Sequence, residues 1–202
     1  MEAHEVGDAI AETTHPPHGD ERFRRLAAVF LGVLGMLLAI ASLGGENAVK
    51  ESMNANILAS DTYAFYQARN ERQTAFQLAA DALEALLATQ PGLPAAVRQS
   101  LDRHIADYRA TVKRYESDPA TGSGKQELLA KAKGFEAARD LAQRRDLNFD
   151  YARALFQIAI VLGSVSIVAA SRPLLGLCGL LAVVAGLLAA NGFFLLIDLH
   201  RG

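Results

Sequence analysis

The sequence predicts an all-α membrane protein in which three transmembrane helices are joined, between the first and second spans, by a long extramembrane helical hairpin. Three observations predict it. Hydrophobic residues make up 51% of the 202-residue chain although 21% of it is charged, so apolar and charged residues are segregated into blocks. Three blocks, 26–44, 154–170 and 174–197, contain no charged residue. Each reaches or approaches the roughly 20 residues with which a helix crosses a ~30 Å hydrocarbon core. Between the first two blocks, residues 45–153 are rich in Ala, Leu, Gln, Glu and Arg, all good helix formers.

Residues 1–25 carry six acids and are expected to form a disordered acidic tail. His4, Glu12, His15 and His18 give it a faint metal-binding look. Pro16 and Pro17 favour an extended chain there, and the histidines lack the spacing of a structural zinc site, so a solvated tail is expected. The apolar run that follows is longer than the about 7–15 residues of a signal-peptide core, and its leading segment is acidic. It is therefore expected to remain as the first span.

The three apolar blocks hold no Asp, Glu, Lys, Arg or His. Such groups at membrane depth mark proton relays and ion-coupled transport, so their absence argues against a pump or secondary transporter. Small residues recur at contact spacing: Gly32, Gly35 and Ala39 in the first span, Ala159, Gly163, Ser166 and Ala170 in the second, Gly179, Ala182 and Gly186 in the third. They are expected to let helix backbones approach. Asn191, in the third, is expected to bond another helix.

Arg22, Arg24 and Arg25 precede the first span, and Arg172 lies in the turn between the second and third, which must face the same side. Lys50, Arg144, Arg145, Arg153 and Arg201 lie on the other, but the segment joining spans one and two is too long for its charges to vote. The expected topology in a bacterial inner membrane has the N-terminus in the cytoplasm, and the arm and C-terminus in the periplasm.

The arm runs from Glu46 to Gln90 without Gly or Pro, breaks at 91–94, resumes over Ala95–Glu116, and breaks again at 118–124. Its second segment aligns Val97, Leu101, Ile105 with His104, Tyr108, Val112 and Tyr115 at the three–four spacing of a packed helix. At 1.5 Å per residue the outgoing helix spans about 68 Å, and the two returning pieces roughly 33 and 40 Å. A coiled-coil-like hairpin with an interrupted return arm closes that arithmetic. Two helices have little core of their own, so a homo-oligomer or a place in a larger membrane complex is expected.

Within the arm, Ala59–Gln73 concentrates aromatic, acidic and guanidinium groups. Tyr63, Tyr66, Gln67 and Asn70 share one side of a helix, while Asp61, Phe65 and Arg69 fall around the other. Tyrosine and arginine in this texture suit a protein–protein contact. With no histidine or cysteine near, the stretch supplies no acid–base or nucleophilic pair. Gly122-Ser-Gly-Lys125 lacks the leading glycine and strand of a phosphate loop. No catalytic, cofactor or metal residues are identified, and with a net charge of −2 no nucleic-acid partner is expected.

The string Ala59-Ser-Asp-Thr-Tyr-Ala-Phe-Tyr-Gln-Ala-Arg69 resembles the signature of a bacterial membrane family catalogued as domain of unknown function 4337. Leu155–Ile167 resembles the start of that family's C-terminal helical pair. Tyr63 stands where members usually have tryptophan, and Arg172 alone stands where they have a more basic turn. The resemblance implies an acidic N-terminus, one span, the arm and the helical pair, with that turn in the cytoplasm, and it implies no chemistry. The function expected is non-enzymatic: an oligomeric or accessory subunit whose lipid-embedded spans carry a partner-binding arm. The alternative is an oligomeric channel lined by the small residues of the spans.

Alkaline phosphatase fused after Gly122 is expected to be active, as a periplasmic arm requires. An inactive fusion overturns the topology.

Overall fold

A computed structural model describes residues 18–197, which are helical apart from short connections and contain no strand. Four helices follow in order: α1 (His18–Thr89), α2 (Ala95–Glu116), α3 (Lys125–Val168) and α4 (Arg172–Phe194). By length and apolar composition α1, α3 and α4 are each able to cross a membrane. Helix α1 begins at His18, so residues 18–25, expected in the tail, are helical. Glu21 falls in its first turn, where a carboxylate complements the helix dipole. The side chains of the N-terminal histidines lie outside the described residues.

The helices divide into two units, residues 18–50 with 142–197, and residues 51–141. The first unit packs the starting part of α1 against the end of α3 and against α4. Its buried side chains recur every seven residues, at Ala27, Leu34, Ala41 and Ala48 of α1 and at Cys178 and Ala185 of α4. That interval is the seam of knobs-into-holes packing. Helix α3 touches both neighbours and so carries two such rows, Phe149 and Phe156 in one, Ala152, Ala159 and Ser166 in the other. The shared core extends to Ala48 and Phe149, past the ends of the apolar runs, because packing continues where hydropathy stops.

Small residues do admit close approach here, at Ala159 and Gly163 as the spacing suggests and also at Gly44 and Gly192, which it does not mark. A Cβ on Gly44 would lie 2.6 Å from the Phe149 ring, and one on Gly192 2.9 Å from it. The ring fills the space that the two glycines leave and meets Phe193 edge-on at 4.8 Å between centroids. Gly163 is likewise closed by Leu31 and by the Cys178 sulfur. Ala159 is fully buried, and its carbonyl accepts the Cys178 thiol at 3.0 Å. Gly32, Gly35, Gly179 and Gly186, by contrast, have nothing within 4 Å of an added Cβ. The seam between helices runs through alanines and Leu34, leaving these four outside it.

One polar pair sits among these apolar rows. The Asn191 amide donates to Asn148 at 3.0 Å, and Asn148 donates to the Arg144 carbonyl at 2.8 Å. Asn191 also closes the end of α4, donating to the Ile197 carbonyl and accepting its N–H, both at 2.9 Å. Leu195, at φ 46°, makes the left-handed turn this requires. A buried amide pair leaves unpaired donors if the helices slip, so it pins their register. At the opposite end of α4, Ser166 donates to the Ser171 carbonyl at 2.7 Å across the turn. Pro173 lies in the first turn of α4, where its missing N–H costs nothing, so the helix starts at Arg172 instead of 174.

In the second unit, residues 51–89 of α1 carry the three–four spacing at Ala55, Ala59, Thr62, Gln73 and Ala80, all buried. Helix α2 meets α1 through Phe76, whose ring lies 5.5 Å from Tyr108 and 5.9 Å from Tyr115. Arg109 then bridges Asp81 at 2.5 Å and Glu84 at 2.9 Å. The start of α3 meets an earlier stretch of α1, with Leu128 and Ala132 buried and Arg139 reaching Asn56 at 3.5 Å.

Gly44→Ala is expected to lower the melting temperature of the detergent-solubilised chain, since forcing a methyl against Phe149 costs about 1–3 kcal/mol. Gly32→Ala, into open space, is expected to leave it unchanged or raise it slightly. Equal effects would refute the assignment of the close approach to Gly44.

Candidate functional site

The Ala59–Gln73 stretch divides by helical face into a clamp and an exposed side. Ala59, Thr62, Tyr66, Arg69 and Gln73 recur at intervals of three and four, the period that keeps them toward the helices packed on α1. Thr62 returns its hydroxyl to the Leu58 carbonyl at 2.6 Å and so presents only its methyl to the neighbouring helix.

Gln73 is the centre of the clamp. Its amide donates to the Val112 carbonyl at 3.1 Å and to the Glu116 carboxylate at 3.0 Å. Its oxygen accepts from Lys125 at 2.7 Å. Lys125, at the first turn of α3, also reaches Asn70 at 3.0 Å and Glu116 at 3.2 Å, and lies 5.8 Å from the centre of the Tyr66 ring. Arg69 donates to Ser123 at 3.0 Å and lies over the Tyr115 ring at 4.8 Å. One turn of α1 therefore grips the end of α2, the start of α3 and the loop between them.

That loop is built by residues suited to it. Asp118 accepts the Thr121 and Gly122 amides on its carbonyl, and Gly122 takes the left-handed conformation at φ 64°. Gly124 is buried where a Cβ would meet Asp118, Glu127 and the Ser117 backbone. Glu127 accepts the Ser117 hydroxyl at 2.6 Å and the Asp118 N–H at 3.1 Å. These donors hold the Glu127 carboxyl below its ordinary range. Gln73 and then Lys125 do the same for Glu116.

Of the contact residues suggested by the sequence, Tyr66, Arg69 and Asn70 thus engage their own chain. Tyr63 is half-buried, and desolvation followed by the neighbouring Glu136 charge and hydrogen bond raises its phenol pKa. Asp61, Phe65 and Gln67 face outward, with Phe65 61% exposed. Phe65 borders two shallow grooves, one of about 250 Å3 shared with Asp61, Leu128, Lys131 and Phe135, the other of about 260 Å3 shared with Ala64, Ala68, Arg69 and Arg72. Gln73, Glu116, Lys125 and Glu127 were not singled out as contact residues from the sequence. The signal that could have found Lys125 is the Gly122–Lys125 loop, which lacks the features of a phosphate loop and here seals two helices onto a third.

Among the described residues no group of three or more His, Cys, Asp or Glu side chains is placed to hold a metal ion. The arrangement offers contact surface and a fixed helical joint. Residues 23–195 match the family described as Domain of unknown function (DUF4337). No curated protein and no solved structure matches the chain.

Because Glu116 and Glu127 hold protons less tightly in the folded chain, the unfolded state takes up more of them as pH falls. The clamp's contribution is full above the ordinary carboxylate pKa of about 4.3 and is lost as pH falls through the lower folded-state values. Tyrosine emission, carried by Tyr63, Tyr66, Tyr108 and Tyr115 of this unit in a chain with no tryptophan, is expected to change over that acid range. Glu127→Gln is expected to weaken the transition, and an identical acid profile for the variant would refute the clamp.

Proposed function

The chain belongs to the DUF4337 family, and from that premise we propose that it is a non-enzymatic integral protein of the bacterial inner membrane, an oligomeric or accessory subunit whose helical arm binds other proteins. In this reading α1, α3 and α4 each cross the bilayer once, the N-terminus lies in the cytoplasm, and residues of the second unit form a periplasmic hairpin arm. The lipid-facing role of the first unit is supported by its outward side chains: Leu26, Met36, Val161, Leu180 and Leu187 are each more than half exposed. A helix apolar on its inner and outer faces belongs in lipid or in a larger core.

The observation that carries the partner-binding reading lies on the opposite side of α1 from the clamp. Met53, Ile57 and Leu78 are 62%, 56% and 63% exposed, with Ala64, Ala68, Ala75 and Ala82 exposed between or beside them, and Phe65, 61% exposed, flanks this row nearer the clamp. Such a row on an otherwise charged arm marks a surface that another helix covers. The channel reading has less to stand on. Gly163 is closed by Leu31, Ala159 is buried, and Ser166 is bonded across the α3–α4 turn, so the small residues of the second span serve the bundle itself.

Replacing Ile57, Phe65 and Leu78 together with serine is expected to dissociate the assembly in gently extracted membranes, read by native mass, while helical content stays constant. A parent protein that is already monomeric and partner-free overturns the proposal.

A further inference from the structure

At one end of the first unit an open groove of about 500 Å3 is lined by Phe23, Leu26 and Phe30 of α1 and by Leu175 and Gly176 of α4, with Arg172 at its mouth. The lining other than Arg172 is apolar, and none of its residues is fully buried, although Phe30 also packs against the core of the bundle. Gly176 opens onto free space, with nothing within 4 Å of an added Cβ. Arg22, Arg24 and Arg25, outside the groove lining, are exposed in the turns of α1 that hold Phe23 and Leu26, and Arg172 is exposed at the first residue of α4. Glu21 is the one acid at this end whose side chain is described.

We propose that this groove binds an anionic phospholipid, its phosphate on Arg172 and one acyl chain along the Phe23–Phe30 face of α1. The inference rests on the membrane-spanning reading and adds a defined lipid site to it. An excess of arginine at the end of two spans attracts a head group of net negative charge. Arginine's planar fork is suited to phosphate oxygens, and the adjoining start of α4 favours an anion. A soluble phosphate would satisfy the guanidinium and leave the aromatic and aliphatic wall in water. From Phe23 to Phe30 the helix rises roughly 10 Å, about a third of the ~30 Å hydrocarbon core, so the groove accommodates the upper part of an acyl chain. The chemistry that fits both parts is a phosphate ester joined to a hydrocarbon chain.

The full chain in detergent, titrated with phosphatidylglycerol or with phosphatidylcholine of the same acyl composition and read by native mass spectrometry, tests this. Phosphatidylglycerol is expected to bind more tightly. Arg172→Ala is expected to weaken it roughly fivefold, the effect of one arginine near an anionic lipid, and Arg172→Lys less. Gly176→Phe, which fills the groove without touching the helix seam, is expected to abolish the preference. Equal affinity for the two lipids, an unchanged Gly176→Phe variant, or full competition by soluble glycerol phosphate would each overturn the proposal. Alkaline extraction of the parent membranes separates the two levels. Release of the chain overturns the membrane reading itself, whereas retention together with equal lipid binding overturns the groove alone.

Discussion

The packing of α1 is the constraint on which the rest depends. This helix runs from His18 to Thr89, and in each unit it has to keep one narrow face toward its neighbours. An undistorted α-helix drifts about 20° per heptad from a seven-residue repeat, so a face kept over many turns demands the repeat in the residues themselves. It is present in both units: Ala27, Leu34, Ala41 and Ala48 in one, Ala55 and Thr62 in the other, all buried. Alanine at these places brings helix axes close, and closeness is what makes the Phe149 contact with Gly44 and Gly192 possible. Such shape complementarity and the Asn148–Asn191 bond supply specificity that apolar burial alone does not.

The second unit solves the same problem with different chemistry. Its seam turns polar at Thr62, Arg69 and Gln73, and those groups are satisfied by the carbonyls of Leu58 and Val112 and by Glu116, Ser123 and Lys125. Buried polar groups stabilise only when their hydrogen bonds are complete, and Gln73 uses both its donors and its acceptor. The clamp therefore specifies where the loop between α2 and α3 docks. It also explains why Thr62, Tyr66, Arg69 and Gln73 of the stretch turn inward, while Asp61, Gln67, Glu71 and Arg72 stay at the surface.

What remains exposed on the second unit is a row of aliphatic and alanine side chains flanked by Phe65, and at one end of the first unit a groove bordered by Arg172. In the proposed reading the row receives protein and the groove lipid. That reading makes surfaces the working parts of the molecule, and the demand on the fold is then to hold them in place.

The helical class, the breaks at 91–94 and 118–124 and the three apolar runs were legible in the residues, because proline, glycine and charge act locally. The resemblance carried by the Ala59–Arg69 string was legible for the same reason, and the family match over residues 23–195 bears it out. The stripe of α2 was readable from its period from Leu101 to Tyr115, whereas Val97 and His104, expected on it, are exposed. Which glycines admit a neighbour was not: Gly32 and Gly35 carry the familiar spacing, yet Gly44 and Gly192 receive the Phe149 ring. Spacing describes one helix, whereas close approach depends on the rotation of two. The partners of Tyr66, Arg69 and Gln73 were hidden likewise, since Lys125 stands 52 residues from Gln73 in sequence. The sequence by itself determined that these segments are helical and which faces are apolar, for that follows from local propensity and period. Only the tertiary structure decided which polar groups are consumed inside the chain and which surfaces stay open, because that depends on contacts between helices distant in sequence.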